Sequence, residues 1–199
     1  MEKVAARGRP REFDTEVALA AALRVFWTKG YEAASLTDLT EAMGITRPSL
    51  YAAFGNKEAL FKQALDVYER DKLAYVDSAL QAPTAKGVAS RMLYGAVEAM
   101  TDGDCRGCMG VIASVACQSM ESSIVEDITR RGEASHRALV ARMQKAIDDG
   151  DFASETDAET ITRYLKTIMQ GMSVQAQSGA TPQELRLVVD AAMAGWPSR

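Results

Sequence analysis

Several features that would direct the reading elsewhere are missing from this 199-residue chain. It contains no run of about 18 apolar residues, the minimum for a membrane-spanning helix. The N-terminal stretch "MEKVAARGRPREF" has no apolar core of the kind that marks a secretory signal, so the cytoplasm is the expected location. Cysteine occurs three times, an odd number, which argues against a secreted disulfide framework and for free thiols in a reducing compartment. Period-2 alternation is absent, which excludes a sheet-based fold, and there are no internal repeats or low-complexity tracts. No catalytic constellation emerges, and nothing calls for a cofactor or a resident metal, so an enzyme is not expected.

What is present is the ordinary balance of a globular protein, with 47% hydrophobic and 25% charged residues. The net charge of −4 at first speaks against nucleic acid as a partner, but the charges are unevenly distributed. Residues 1 to 62 hold nine Lys and Arg against eight Asp and Glu, and residues 63 to 199 hold fourteen against nineteen. The first eleven residues alone carry four basic side chains and one acidic one. A basic arm on a near-neutral small domain, followed by a larger acidic one, is the asymmetry expected when only one end meets phosphate.

Apolar stripes at i, i+3, i+4 and i+7 recur throughout, so the chain reads as all-α. Leu19, Ala22, Leu23 and Phe26 form a first stripe, opened by Asp14 as N-cap and closed by Gly30. Ser35 with Asp38 makes a capping box for a short second helix, whose buried face is assigned to Leu39, Ala42 and Met43 before Gly44 turns the chain. "TRPSLYAAF" gives a third helix, and a long fourth runs to about Ala79 with Leu60, Phe61, Ala64, Leu65 and Tyr68 inward. After "QAPTAKG", further helices are predicted at about 85 to 101, 108 to 118, 122 to 149, 156 to 178 and 181 to 195, about nine in all. The division falls at 62/63, a three-helix N-terminal domain with a basic arm followed by a larger helical domain.

The stretch "GITRPSLYAAFGNK" carries the chemistry. Two short helices joined by "MGIT" have the length and turn of a helix-turn-helix, whose second helix enters the major groove by its N-terminal residues. At about 100° per residue Leu50 and Phe54 point inward, Pro48 and Ala52 face away, and Arg47 and Tyr51 lie on the boundary. Thr46 caps this helix, and Pro48 falls in its first turn, where a missing N–H costs little. Arg47 at the tip suits bidentate pairing with guanine, whereas Ser49 and the Tyr51 hydroxyl suit phosphate oxygens. Lys57, in the first turn of the next helix, opposes the helix dipole unless an anion lies there; a phosphate would reverse that cost.

Positions 13 to 62 resemble the DNA-binding domain of TetR-family transcriptional regulators, through "ALRVFWTKGYEAASLTDLTEAMGITRPSLYAAFGNKEALF". The resemblance implies that Thr37, Ser49, Tyr51 and Lys57 touch backbone phosphates and that Thr46, Arg47 and Pro48 face bases. Ala52 and Ala53 depart from the aromatic or histidine side chains of many members, which leaves base readout to Arg47 and to DNA shape. The arm "RGRPR", with Arg7 and Arg9, fits a narrow minor groove. The resemblance also implies a ligand-responsive regulator, a repressor, that binds a pseudo-palindromic operator in double-stranded DNA as a homodimer. Two C-terminal helices would then pair with their copies through Tyr164, Ile168, Met172, Val188, Val189 and Ala192.

The segment "DCRGCMGVIASVACQSM" admits several readings. Cys105 and Cys108 form a C-x-x-C, but no strands flank it to suggest an oxidoreductase. A metal site recruiting Cys117 and His136 lacks a second cysteine pair. A redox switch at Cys105 and Cys108 is an alternative. The leading reading is a helix start that lines an effector cavity, "RGC" resembling the start of the sixth helix in one branch of the family. Met92, Met100, Cys108, Met109, Ile112, Met120, Met143 and Met169 are the candidate lining. No charged cluster marks this region, so a small, largely apolar effector is expected.

Overall fold

A computed structural model describes residues 13–115, 122–152 and 155–198. Among these residues the fold is entirely helical: α1 (Thr15–Ala33), α2 (Leu36–Met43), α3 (Arg47–Phe54), α4 (Lys57–Lys72), α5 (Ala74–Leu80), α6 (Ala85–Thr101), α7 (Met109–Val115), α8 (Ser122–Asp148), α9 (Ala158–Gln177) and α10 (Pro182–Ala194). Local signals set most boundaries. Asp14 accepts from the N–H groups of Glu16 and Val17, the Ser35/Asp38 capping box closes in both directions, and Thr181 and Glu184 form a second one. Gly44 ends α2 in the left-handed conformation (φ 65°), and Gly30 interrupts α1 (φ 75°, ψ 169°) before a last turn through Ala33.

Two elements depart from the sequence expectation. The predicted helix through Ala79 is broken at Leu73 into α4 and α5, which accounts for the tenth helix. The reorientation brings Tyr75 onto α6 at Gly95, where a Cβ would lie only 2.3 Å from the Tyr75 ring. Arg142 of α8 holds the turn that follows, donating to the carbonyls of Leu80 and Ala82. In α2, Ala42 is exposed and Thr40 takes the buried position beside Leu39 and Met43, its hydroxyl satisfied by the Leu36 and Thr37 carbonyls.

Two apolar clusters organise the chain. One joins α1 to α4, with Phe26, Tyr31 and Phe61 in edge and stacked ring contacts and Trp27 edge-on to Tyr68 at 4.8 Å. It continues into Cys105, Met109, Ala113, Ile124 and Ile128. The other is built on α6, α8, α9 and α10 around Leu93, Met143, Leu165, Met172 and Leu185. Arg131 of α8 joins the two halves as well, with guanidinium contacts to Asp66 at 2.6 Å, Glu69 at 2.8 Å and Asp127 at 2.7 Å. The 62/63 division lies inside α4, whose later turns face the second half of the chain.

Candidate nucleic-acid interface and effector cavity

The helix-turn-helix is α2, the Gly44–Thr46 turn and α3. Thr46 caps α3, its hydroxyl accepting from the Ser49 N–H at 3.4 Å and lying 3.0 Å from the Ser49 hydroxyl. Leu50 and Phe54 anchor α3 in the core, so the rest of its surface is presented outward. Arg47, Pro48, Tyr51 and Ala52 are exposed there, Tyr51 to 50%. A half-exposed tyrosine on a recognition helix leaves its hydroxyl free to reach a phosphate oxygen.

Arg47 and Thr37, ten residues apart, are brought together. The guanidinium donates to the Thr37 hydroxyl at 2.9 Å, which holds Arg47 extended across the α2–α3 angle. Lys57 is not a solvated cation at the start of α4. Its ammonium lies over the Tyr31 ring at 4.4 Å and reaches the Glu32 carbonyl at 3.5 Å, while Glu58 pairs with Lys62. On the adjacent side Lys29 pairs with Asp38 at 2.6 Å; that ammonium, with the Ser35 hydrogen bonds, holds the Asp38 carboxyl well below the usual range. Arg7 and Arg9 lie outside the described residues.

The second feature is a cavity of about 460 Å³ enclosed by α4 to α9. Four of the candidates, Met92, Met100, Cys108 and Met169, line it together with Leu65, Val76 and Leu139. Three candidates do not. Met109 points with Ala113, one turn on, into the N-terminal cluster, and Ile112 packs at that cluster's edge, so α7 turns Gly110, Val111 and Ser114 to the cavity instead. Met143 is fully buried one turn beyond Leu139, where the void has ended and close-packed core begins. Met120 and Cys117 lie outside the described residues.

Sequence reasoning also missed the polar lining. Tyr68 donates its hydroxyl to the Cys108 sulfur at 3.3 Å, and burial pushes the Tyr68 and Tyr75 hydroxyls up, so both remain protonated donors. Arg131 and Lys166 also line the void, and the signal for Lys166 was a cation within the inward stripe of Leu165 and Met169.

Between cavity and helix-turn-helix lies the 102–108 loop, docked onto α1 and α4. Trp27 donates its indole N–H to the Gly107 carbonyl at 3.1 Å, Arg24 meets Asp104 at 3.4 Å, and Lys72 pairs with Asp102. From the other side the Cys108 N–H donates to the Ser173 hydroxyl at 2.7 Å and Arg106 to the Ala180 carbonyl at 3.1 Å. Gly107 has to be glycine: φ is 80°, and a Cβ would lie 2.6 Å from Gln177 Cγ and 3.0 Å from the Ser173 carbonyl. Cys105 and Cys108 are free thiols in different surroundings. Cys105 is buried in the N-terminal cluster, and burial pushes its thiol up, away from reactive thiolate. His136 is engaged by Glu159 at 3.0 Å, and among the described residues no group of three or more potential ligands gathers for a metal.

The outward face of α9 and α10 carries Tyr164 at 42%, Val174 at 53% and Leu187 at 68% exposure, with Ile168, Val188 and Ala192 half-buried at its margin. Met172 and Val189 are not part of this face. Met172 lies on the Leu165 side of α9 and Val189 on the Leu185 side of α10, and both are fully buried in the chain's own core. No helix among the described residues is long and apolar enough to cross a membrane.

Comparison with known proteins agrees with this geometry. The model of the tetR family of bacterial regulatory proteins matches residues 18–64. The chain is 33% identical over 195 residues to the transcriptional repressor ComR of Escherichia coli K12, covering 96% of this chain and 92% of that protein. It is 30% identical to the repressor BdcR of the same organism, covering 94% and 90%. Among solved structures, a cysteine-substituted form of the TetR-family regulator CifR with 26-bp double-strand operator DNA superposes with a TM-score of 0.87. That protein is 39% identical, with 95% of this chain and 100% of that one covered. With its helix-turn-helix, all-helical C-terminal half and this similarity along nearly its whole length, the chain belongs to the TetR family of transcriptional regulators, DNA-binding proteins and not enzymes.

Proposed function

We propose that this protein is a ligand-responsive transcriptional repressor that binds a pseudo-palindromic operator as a homodimer and is released by a small, largely apolar molecule. The observation that carries the reading is the α3 surface, where a buried Leu50/Phe54 anchor presents Arg47 and Tyr51 outward. Repressor relatives at 30–33% identity and the operator complex of a 39% identical regulator support the same role. In this reading Thr46, Arg47 and Pro48 face bases, while Thr37, Ser49, Tyr51 and Lys57 position the helix on phosphates. The Thr37 contact sets the direction of Arg47, and Lys57 swings from Tyr31 to a phosphate. Residues 1–62 form the reading head and residues 63–199 the effector and dimerisation part, in the cytoplasm.

The exposed face of α9 and α10 supports the homodimer, with Gly171 offering a place for close helix approach since no atom lies within 4 Å of where its Cβ would be. Two reading heads related by a two-fold axis require half-sites one helical turn or a multiple apart. An effector in the cavity would act through Cys108 and the docked loop on α1 and α4, and operator binding must weaken effector binding by the same factor.

A gel shift against DNA flanking the protein's own gene, with excess nonspecific competitor, tests this. A discrete complex that Arg47→Ala weakens by about 1–3 kcal/mol, with relaxed base preference, is expected; Lys57→Ala should weaken all sequences alike. Equal losses for both variants on every sequence would refute the division of roles.

A further inference from the structure

The cavity resting on the foregoing reading has an apolar interior and a polar mouth. It meets a surface groove at Thr129, Gly132 and Lys166, residues that line both. Gly132 keeps the junction open, since no atom lies within 4 Å of where its Cβ would be.

Among the described residues, every other basic side chain around this junction is already matched. Arg131 is engaged by Asp66, Glu69 and Asp127, Arg163 by Glu159 at 2.6 Å, His136 by the same carboxylate, and Arg137 by Glu133 at 3.4 Å. Lys166 is different. It is half-buried on the inward face of α9 and has no hydrogen-bond or ion-pair partner among the described residues. Burial, reinforced by Arg163 one turn earlier and only partly offset by the more distant Glu159 carboxylate, holds its pKa below the ordinary lysine value. A half-buried unpaired ammonium is costly for the protein alone, and an incoming anion would offset that cost.

We infer that the effector is an amphipathic organic anion, whose apolar body fills the methionine- and leucine-lined cavity and whose single anionic group sits against Lys166 at the mouth. Gln170, one turn along the same helix, adds an amide to the lining next to it. The void of about 460 Å³ suits a compact body and leaves no room for a large polar head group.

A matched pair of fluorescent probes tests this on the full-length protein. 8-Anilinonaphthalene-1-sulfonate and N-phenyl-1-naphthylamine share one hydrocarbon body, and only the first carries an anionic group. The sulfonate should bind roughly tenfold or more tightly than the neutral amine, the gain of a charge-assisted contact in a partly dry site. Lys166→Gln should remove that advantage and leave the neutral amine unchanged, whereas Lys145→Gln, a charge loss on the exposed surface of α8, should change neither. Equal binding of the two probes to the wild type, or an unchanged preference in Lys166→Gln, would overturn the inference while leaving the cavity as a ligand site. Binding of neither probe would overturn both.

Discussion

Gly107→Ala places one methyl group at the point where the two halves of the protein are stitched together. The backbone there has φ 80°, a region that costs a residue with a Cβ about 1–2 kcal/mol. The new methyl would also lie 2.6 Å from Gln177 Cγ and 3.0 Å from the Ser173 carbonyl oxygen. The glutamine is exposed and can swing away, but the carbonyl belongs to α9 and cannot, so the loop must retreat by several tenths of an ångström. That movement strains the Trp27–Gly107 and Cys108–Ser173 hydrogen bonds together, and overpacking of this kind adds about 1–2 kcal/mol. The total is about 2–4 kcal/mol, which at a urea dependence of about 2 kcal/mol per M lowers the unfolding midpoint by about 1–2 M. Gly103→Ala is the internal control, because Gly103 has φ 69° but no atom within 4 Å of its Cβ position. It should carry the conformational cost alone, about 1–2 kcal/mol. Unfolding followed by circular dichroism gives both midpoints. If the two variants fall equally, contact with α9 contributes nothing and the account of the docked loop is wrong.

Met143→Ala should destabilise the protein by about 2–5 kcal/mol, as for a fully buried methionine, yet leave the affinity of the neutral naphthylamine unchanged; a changed affinity would extend the cavity to α8 beyond Leu139. Leu187→Glu should convert the proposed dimer to monomer in sedimentation without altering the circular dichroism, since Leu187 is 68% exposed in the single chain. A dimer that survives this charge would move the interface elsewhere. Asp38 tests the capping box by pH. Its folded-state pKa is depressed by Lys29 and Ser35, so its contribution is fully present above the unfolded carboxylate value of about 4 and is lost as pH falls below that. The stability difference between wild type and Asp38→Asn should therefore be constant from about pH 6 to 8 and shrink below about pH 4; a difference that persists unchanged at pH 3 would contradict the pairing.

Local signals wrote the helices into the sequence. The caps at Asp14, Ser35, Thr46 and Thr181 and the stops at Gly30 and Gly44 act within a few residues of themselves, so α1 to α3, α6 and α10 were legible at nearly their observed bounds. The outward face of α3 was legible for the same reason, because periodicity alone puts Leu50 and Phe54 inward and Arg47 and Tyr51 at the boundary, and the structure leaves both of the latter exposed. What lies between helices was not. Periodicity marks Met109, Met143, Met172 and Val189 as inward, but only packing decides whether inward means the N-terminal cluster, the C-terminal core, the cavity or a second chain. The break at Leu73 depends on Tyr75 finding Gly95, twenty residues away, and the need for glycine at 107 depends on Ser173 and Gln177. An unpaired Lys166 becomes visible only when every acid around it has been assigned to another cation, because pairing is a property of neighbours in space and the sequence orders neighbours only along the chain.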